Sequence, residues 1–111
     1  MTDEQRVSLY DARWKVLRSQ DNIAPLTFDQ MPWPVLSAVT SLKGLNGKQF
    51  ALFYEAAAKG RSHARVIKEA LLRFHPDKFA NLEPKIHPDA LADVRSGMEL
   101  VIHYLNDIKN L

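Results

Sequence analysis

Residues 71–79 read Leu-Leu-Arg-Phe-His-Pro-Asp-Lys-Phe. The apolar residues that lead up to this stretch recur at helical spacing, so we expect a helix that reaches Phe74. Pro76 cannot continue that helix, because proline lacks a backbone N–H and its ring clashes with the preceding turn. The stretch therefore predicts a helix that stops at a proline turn and leaves the polar side chains around the proline exposed.

The segment before this turn, residues 62–74, is apolar on one side and basic on the other. Ser62 is a good N-cap residue, so the helix is expected to begin just after it. The core face predicted from the helical spacing consists of Val66, Ile67, Ala70, Leu71 and Phe74. The basic side chains expected on the outer side are His63, Arg65, Lys68 and Arg73, with Lys78 just beyond the helix. Glu69 beside them reduces the positive potential of that side.

A second His-Pro-Asp, at residues 87–89, opens the most regular apolar pattern in the chain. Pro88 suits the first position of a helix, and Asp89 favours the positive end of the helix dipole. A helix is expected from there to about Ile108, with the core residues Leu91, Val94, Met98, Val101 and Leu105. Because the connection between this helix and residues 62–74 is short, the two are predicted to pack antiparallel as a hairpin, with the first His-Pro-Asp at its tip.

The first half of the chain predicts further helices. A first helix is expected from about Asp3 to a turn at residues 19–22, and its apolar face consists of Val7, Tyr10, Trp14 and Leu17. Residues 25–34 are rich in proline and irregular, but their apolar side chains predict that they pack against the body. A short helix is expected over residues 35–42, with Pro34 before it, and another over about residues 47–59.

No segment alternates with period two, so we predict an all-α domain of about five helices. It spans residues 1–111 and divides into an N-terminal helix (1–22), a middle part (23–60) and the helical hairpin (61–111). A length of 111 residues suits one domain, and an apolar content of 46% supports a core. The formal charge of +2, from 15 basic and 13 acidic residues, gives no reason to expect binding to nucleic acid or a membrane.

The absence of cysteine excludes disulfides and thiolate metal sites. No apolar run approaches the roughly 20 residues that a membrane-spanning helix needs. The first residues, Met-Thr-Asp-Glu-Gln-Arg, are polar and acidic, which is wrong for a secretory signal or a transit peptide. We expect a monomeric protein of the cytosol or nucleus.

The polar residues do not form a recognisable catalytic or metal-binding pattern. The four histidines lie at positions 63, 75, 87 and 103, and no two of them are four residues apart on a helix. No second acid is placed to form a general acid–base pair, and there is no phosphate-binding glycine loop. We therefore expect no cofactor, no metal and no enzymatic activity.

The run from Arg73 to Lys78 resembles the hallmark of the J domain, a helical co-chaperone module that stimulates the ATPase of DnaK-type heat-shock chaperones. The resemblance covers residues 62–108. The chain is most similar to a divergent group with an aromatic-His-Pro-Asp-Lys-Phe core, which includes fungal proteins of unassigned role and the C-terminal region of NF-kappa-B-inhibitor-like proteins. Residues 26–35 resemble a Leu-Thr-Phe…Pro-Trp-Pro segment that recurs in that group.

The resemblance implies that the chain docks on a DnaK-type chaperone and raises its ATP turnover without doing chemistry itself. The docking residues that it implies are Arg65, Lys68, Arg73, His75, Pro76, Asp77 and Lys78. Charges on the helix would steer the encounter, and the proline turn would present a polar anchor at low entropic cost.

A second interpretation stays open, in which the same scaffold serves as a protein–protein interaction module without stimulating a chaperone. Glu69 stands where J domains usually carry a basic residue. The helix over residues 47–59 stands where they have a short loop, and the chain has no glycine-phenylalanine stretch. In this interpretation the partner binds the additional helix or residues 25–34.

Overall fold

A computed structural model describes residues 1–19 and 25–109 of the chain. Within them the chain forms five α-helices and no β-strand, which confirms the predicted all-α class. The helices are α1 (Asp3–Ser19), α2 (Gly47–Ala57), α3 (His63–Arg73), α4 (Pro76–Leu82) and α5 (Leu91–Lys109). Short 3-10 turns lie at Phe28–Gln30, Leu42–Gly44, Glu83–Lys85 and Pro88–Ala90. The turn predicted at residues 19–22 and the predicted boundary between residues 22 and 23 lie partly or wholly outside the described residues.

Side-chain caps explain where three of the helices begin. Thr2 and Gln5 exchange hydrogen bonds at the start of α1: Thr2 Oγ1 accepts from the Gln5 N–H at 3.1 Å, and Gln5 Oε1 accepts from the Thr2 N–H at 2.8 Å. The side chain of Asn46 caps α2, and the Ser62 hydroxyl caps α3. Each cap satisfies a backbone N–H that has no partner within its own helix.

The helix predicted over residues 35–42 does not form, and that prediction is wrong. Residues 31–35, which lead into that stretch, are all buried. A helix with one core face would expose some of five consecutive residues. The N–H groups of Trp33 and Val35 instead bond to carbonyls two residues back, in tight turns. Residues 37–41 include serine, valine and threonine, which have low helix propensity, and only half-buried side chains pack them against the core.

The fifth helix lies instead at α4, where we expected an irregular connection. Pro76 stops α3, as predicted, but it is also the first residue of the next helix. The fixed φ of proline suits that first position, and the N–H that it lacks would have no helical partner there. The His-Pro-Asp turn therefore joins two helices directly.

A single hydrophobic core holds the helices together. The predicted apolar face of α1 is buried at Tyr10, Trp14 and Leu17. The Tyr10 ring lies 4.7 Å from that of Phe53 on α2, and the Trp14 ring lies 5.0 Å from that of Phe74. Aromatic pairs at these distances add stability beyond the area that they bury.

Helices α3 and α5 contact each other, and the residues predicted to join them lie in the core. One of them, Leu71, is only half-buried and contributes less than expected. The antiparallel direction of the hairpin stays a prediction.

The proline-rich segment of residues 25–34 packs against the body, as predicted. Trp33 anchors it: its Nε1–H donates to the Phe28 carbonyl at 2.8 Å, and its ring presses on α5 at Gly97. A Cβ at position 97 would lie 2.6 Å from Cη2 of Trp33 and 3.0 Å from Cδ1 of Leu45. The absence of a side chain on Gly97 therefore allows Trp33 to reach the helix backbone.

We predict that Gly97→Ala destabilises the domain by about 1–3 kcal/mol, because the added methyl group overpacks the contact with Trp33. The sign of the change in the free energy of unfolding is informative, because replacing glycine by alanine inside a helix otherwise stabilises the fold by roughly 1 kcal/mol. Chemical denaturation monitored by circular dichroism measures the change. Gly47→Ala is the matched control, because a Cβ there meets only Cδ1 of Tyr104 at 3.7 Å, so it should be neutral or stabilising. Equal effects of the two substitutions would contradict the packing role of Gly97.

Candidate functional site

The His75-Pro76-Asp77 turn is built as the N-terminal cap of α4. The His75 backbone is extended, and its Nδ1 accepts a hydrogen bond from the Asp77 N–H at 3.2 Å. The His75 carbonyl accepts from the N–H groups of Lys78 and Phe79, each at 3.0 Å. The side chains of Asp77 and Lys78 remain exposed. The turn thus presents an imidazole and a carboxylate to solvent on a backbone that the cap holds.

Three buried or paired groups hold this turn in place. Phe74 ends α3 inside the core, against the Trp14 ring, and Leu82 is buried at the end of α4. Just after α4, the Glu83 carboxylate accepts two hydrogen bonds from Arg95 on α5, at 3.0 and 3.1 Å. These bonds lower the pKa of Glu83, so the pair stays ionised at neutral pH. Helix α4 is therefore fixed at both ends.

The outer face of α3 carries part of the predicted cationic surface. Arg65 and Lys68 are exposed there, as expected. Glu69 accepts two hydrogen bonds from Arg61, at 3.0 and 2.9 Å, and its Oε1 lies 3.8 Å from Nε of Arg65. The hydrogen bond from Arg61 lowers the pKa of Glu69. Arg61, which was not among the residues predicted for this site, thus balances the negative charge of Glu69.

Arg73 lies elsewhere than predicted. Only 14% of its side chain is exposed, and Nη1 donates to Oδ1 of Asp11 on α1 at 2.7 Å. Its guanidinium also lies 5.3 Å from the centre of the Tyr10 ring. Burial lowers the pKa of Arg73, but the hydrogen bonds and charge interactions with Asp11 and Tyr10 together outweigh it, and the pKa is raised above its ordinary value. The expectation that Arg73 belongs to the outer face is wrong, because its guanidinium turns toward Asp11 and Tyr10 on α1.

The neighbourhood of Arg73 is a buried polar cluster that sequence reasoning missed. The hydroxyls of Tyr10 and Tyr54 lie 3.3 Å apart in the core and share a hydrogen bond. Burial raises the pKa of both tyrosines, so both stay neutral at physiological pH. Tyr10 and Tyr54 are 44 residues apart in the chain, and the helical spacing of each indicates only a buried ring. This cluster joins α1, α2 and α3.

The second His-Pro-Asp has the same local geometry as the first. The His87 Nδ1 accepts from the Asp89 N–H at 3.1 Å, and the backbone angles of His75 and His87 agree within a few degrees. The side chains of His75 and His87 are 53% and 45% exposed, and those of Asp77 and Asp89 are both 93% exposed. The first copy is therefore a helix start as well as a helix stop. Pro76 opens the α-helix α4, whereas Pro88 opens a 3-10 turn before α5. The first copy follows the basic helix α3, whereas the second follows the 3-10 turn Glu83–Lys85.

The described part of the chain shows neither a metal-binding cluster nor a membrane-spanning helix. There, no three histidine or carboxylate side chains are grouped closely enough to hold a metal ion. No helix among the described residues has the length and apolar character that crossing a membrane requires. Comparisons with protein-family models, curated proteins and solved structures found no match. The resemblance to J domains stays a prediction that depends on the residues of the chain alone.

We predict that Asp11→Asn destabilises the domain by about 1–2 kcal/mol, because it leaves the largely buried Arg73 without its anionic partner. The cost should disappear when Arg73 is replaced by methionine, so a double-mutant cycle should show coupling of about the same size. Urea denaturation of the four proteins measures it. Asp107→Asn, at an exposed carboxylate of α5, serves as the control and should change stability by less than about 0.5 kcal/mol. Additive effects of the Asp11 and Arg73 substitutions would contradict the pairing.

Proposed function

We propose that this protein is a J-domain-like co-chaperone that binds a DnaK-type heat-shock chaperone and stimulates its ATPase through the His75-Pro76-Asp77 turn. The observation that carries the proposal is the exposure of His75 and Asp77 at a rigid helix start directly after the basic helix α3. The docking residues proposed on this basis are Arg65, Lys68, His75, Pro76, Asp77 and Lys78. Arg73 is instead a positioning residue, because its ion pair with Asp11 joins the end of α3 to α1.

The arrangement suits a transient, electrostatically steered contact. Arg65 and Lys68 on α3 and Lys78 on α4 expose positive charge on either side of the turn. Exposed charges raise the rate at which an oppositely charged partner is encountered more than they raise affinity. The polar groups of the turn then act as the anchor, and because the cap already orders them, docking costs little conformational entropy.

Asp77→Asn should abolish the stimulation of a DnaK-type ATPase and leave the fold intact, because the Asp77 side chain is almost fully exposed. The rate of ATP hydrolysis by the chaperone, with and without this protein, is the measurement. Asp89→Asn is a closely matched control, since Asp89 has the same exposure and the same hydrogen bond to its histidine.

The two variants separate the proposal from its rivals. Loss of stimulation with Asp77→Asn and retention with Asp89→Asn would support docking through the first turn. Equal loss in both variants would indicate a general effect of charge, and no stimulation by the unaltered protein would overturn the proposal.

The second candidate function is a protein–protein interaction module without chaperone stimulation. Two observations favour it: a geometry like that of the first turn recurs at His87, and Arg73 does not join the outer face. Residues 25–34 are poor candidates for its binding surface, because their large side chains are buried. Helix α2 is the remaining candidate for the binding surface, and Leu52 is exposed on its outer side.

For this second function, Leu52→Asp should abolish capture of the partner from a cell lysate, while Asp77→Asn should leave it unchanged. The physical reason is that an exposed leucine supplies apolar contact area that a carboxylate removes. Leu100→Asp on α5 is the matched control, because Leu52 and Leu100 are 44% and 43% exposed. Capture that survives Leu52→Asp would exclude α2 as the binding surface.

We also propose that the protein acts in the cytosol or nucleus, as a monomer. The lack of cysteine suits a reducing compartment. DnaK-type partners would be encountered there.

A further inference from the structure

A groove of about 820 Å³ lies between α1, α3 and α4, away from the outer face of α3. Its walls come from α1 and from the consecutive helices α3 and α4, which are distant from α1 in sequence. Its size is within the range of pockets that hold small ligands or a few side chains of a peptide. One wall is the C-terminal part of α1, which lies outside the stretch that resembles a J domain. The groove is therefore distinct from the outer face of α3, and of the proposed chaperone-docking residues only Lys78 also lines it.

The charge of the groove is predominantly positive. Four basic residues line it, Arg18, Arg73, Lys78 and Lys85, against the single acid Glu69. Arg73 is paired with Asp11 and Glu69 with Arg61, so these groups largely neutralise one another within the fold. Within residues 1–19 and 25–109, no carboxylate pairs with Arg18, Lys78 or Lys85. The positive potential that remains favours an anionic ligand.

Lys85 is held in position for such a role. Its Nζ donates to the Leu17 carbonyl in the last turn of α1 at 2.6 Å, which orders the side chain. An ammonium group has three donors, so this bond leaves others for a ligand. Arg18, in the same last turn of α1, is exposed and carries a fork of donors that matches a carboxylate.

The groove also has an apolar component. Leu72 on α3 is a large apolar side chain that is about half exposed. Leu82 and Trp14, both buried, lie beneath the basic residues at the base of the groove. A ligand that carried charge alone would leave this apolar surface uncovered, whereas a leucine or phenylalanine side chain would cover it.

We propose that this groove binds a short acidic peptide segment, in which carboxylates meet Arg18, Lys78 and Lys85 and a neighbouring large apolar side chain packs on Leu72. A nucleic acid fits less well, because its backbone needs a long basic track and the formal charge of the chain is only +2. The occupant is thus a protein segment of acidic-apolar composition. The proposal does not depend on chaperone stimulation.

A phage-displayed library of random peptides, selected on the full chain and counter-selected on the Arg18→Glu variant, tests this directly. The peptides that are enriched should combine aspartate or glutamate with leucine or phenylalanine. A fluorescein-labelled copy of one of them should then bind in fluorescence anisotropy, and Arg18→Glu should weaken that binding about fivefold to tenfold. Leu72→Ser should weaken it as well, because it removes the apolar contact.

Lys15→Glu is the matched control, since Lys15 is exposed on the same helix, outside the groove, and undergoes the same change of charge. It should leave binding of the labelled peptide within about twofold of the unaltered chain, because exposed charges at a distance are screened by salt. Circular dichroism checks that each variant is folded.

Three results would overturn the proposal. One is the absence of enriched peptides, or enrichment of peptides without carboxylates. Another is an equal loss of binding with Lys15→Glu and Arg18→Glu, which would indicate attraction to the net charge of the chain. The third is displacement of the peptide by single-stranded DNA at a lower concentration than by the unlabelled peptide, which would assign the groove to nucleic acid. Asp77→Asn should not alter peptide binding, so the groove and the proposed chaperone contact can fail independently.

Discussion

The rings of Trp14 and Phe74 meet edge to face at 5.0 Å in the centre of the core, and much of the remaining structure depends on that contact. Phe74 is the residue that ends α3, directly before His75. Its burial against α1 fixes where α3 stops, where the proline turn lies and where α4 can begin. Because two buried aromatic rings form the contact, moving the turn would cost several kcal/mol of packing. The exposed turn is thus held by a core interaction.

The same packing divides the basic residues of the chain into separate surfaces. Because its guanidinium pairs with Asp11 on α1, Arg73 does not contribute to the outer face of α3. Arg65 and Lys68 remain outside, while Arg18 and Lys85 line the groove between α1, α3 and α4. A nearly neutral chain therefore presents two small positive surfaces with different geometries. Each suits a different kind of partner, because the outer face is open whereas the groove also offers apolar area.

The two His-Pro-Asp copies show that a short motif can define a local conformation without defining a function. Proline at the first position of a helix, with a histidine cap before it and an acid after it, gives the same turn at His75 and at His87. The chemistry of the cap is local and repeats wherever these three residues open a helix. Any difference in function between the copies must therefore come from the elements that surround them.

Local patterns were enough to predict the all-α class, the helices α1, α2, α3 and α5, and most of the core, because helical spacing and capping residues act over a few neighbouring positions. Only packing between distant segments explains why α4 forms and why residues 35–42 form no helix. It also decided that Trp33 presses on Gly97, and that Arg73 turns inward to Asp11, 62 residues away. Periodicity marks a face as apolar or polar but does not identify the element that covers it. The partner of each face is selected by packing among distant segments, which no local pattern in the chain records.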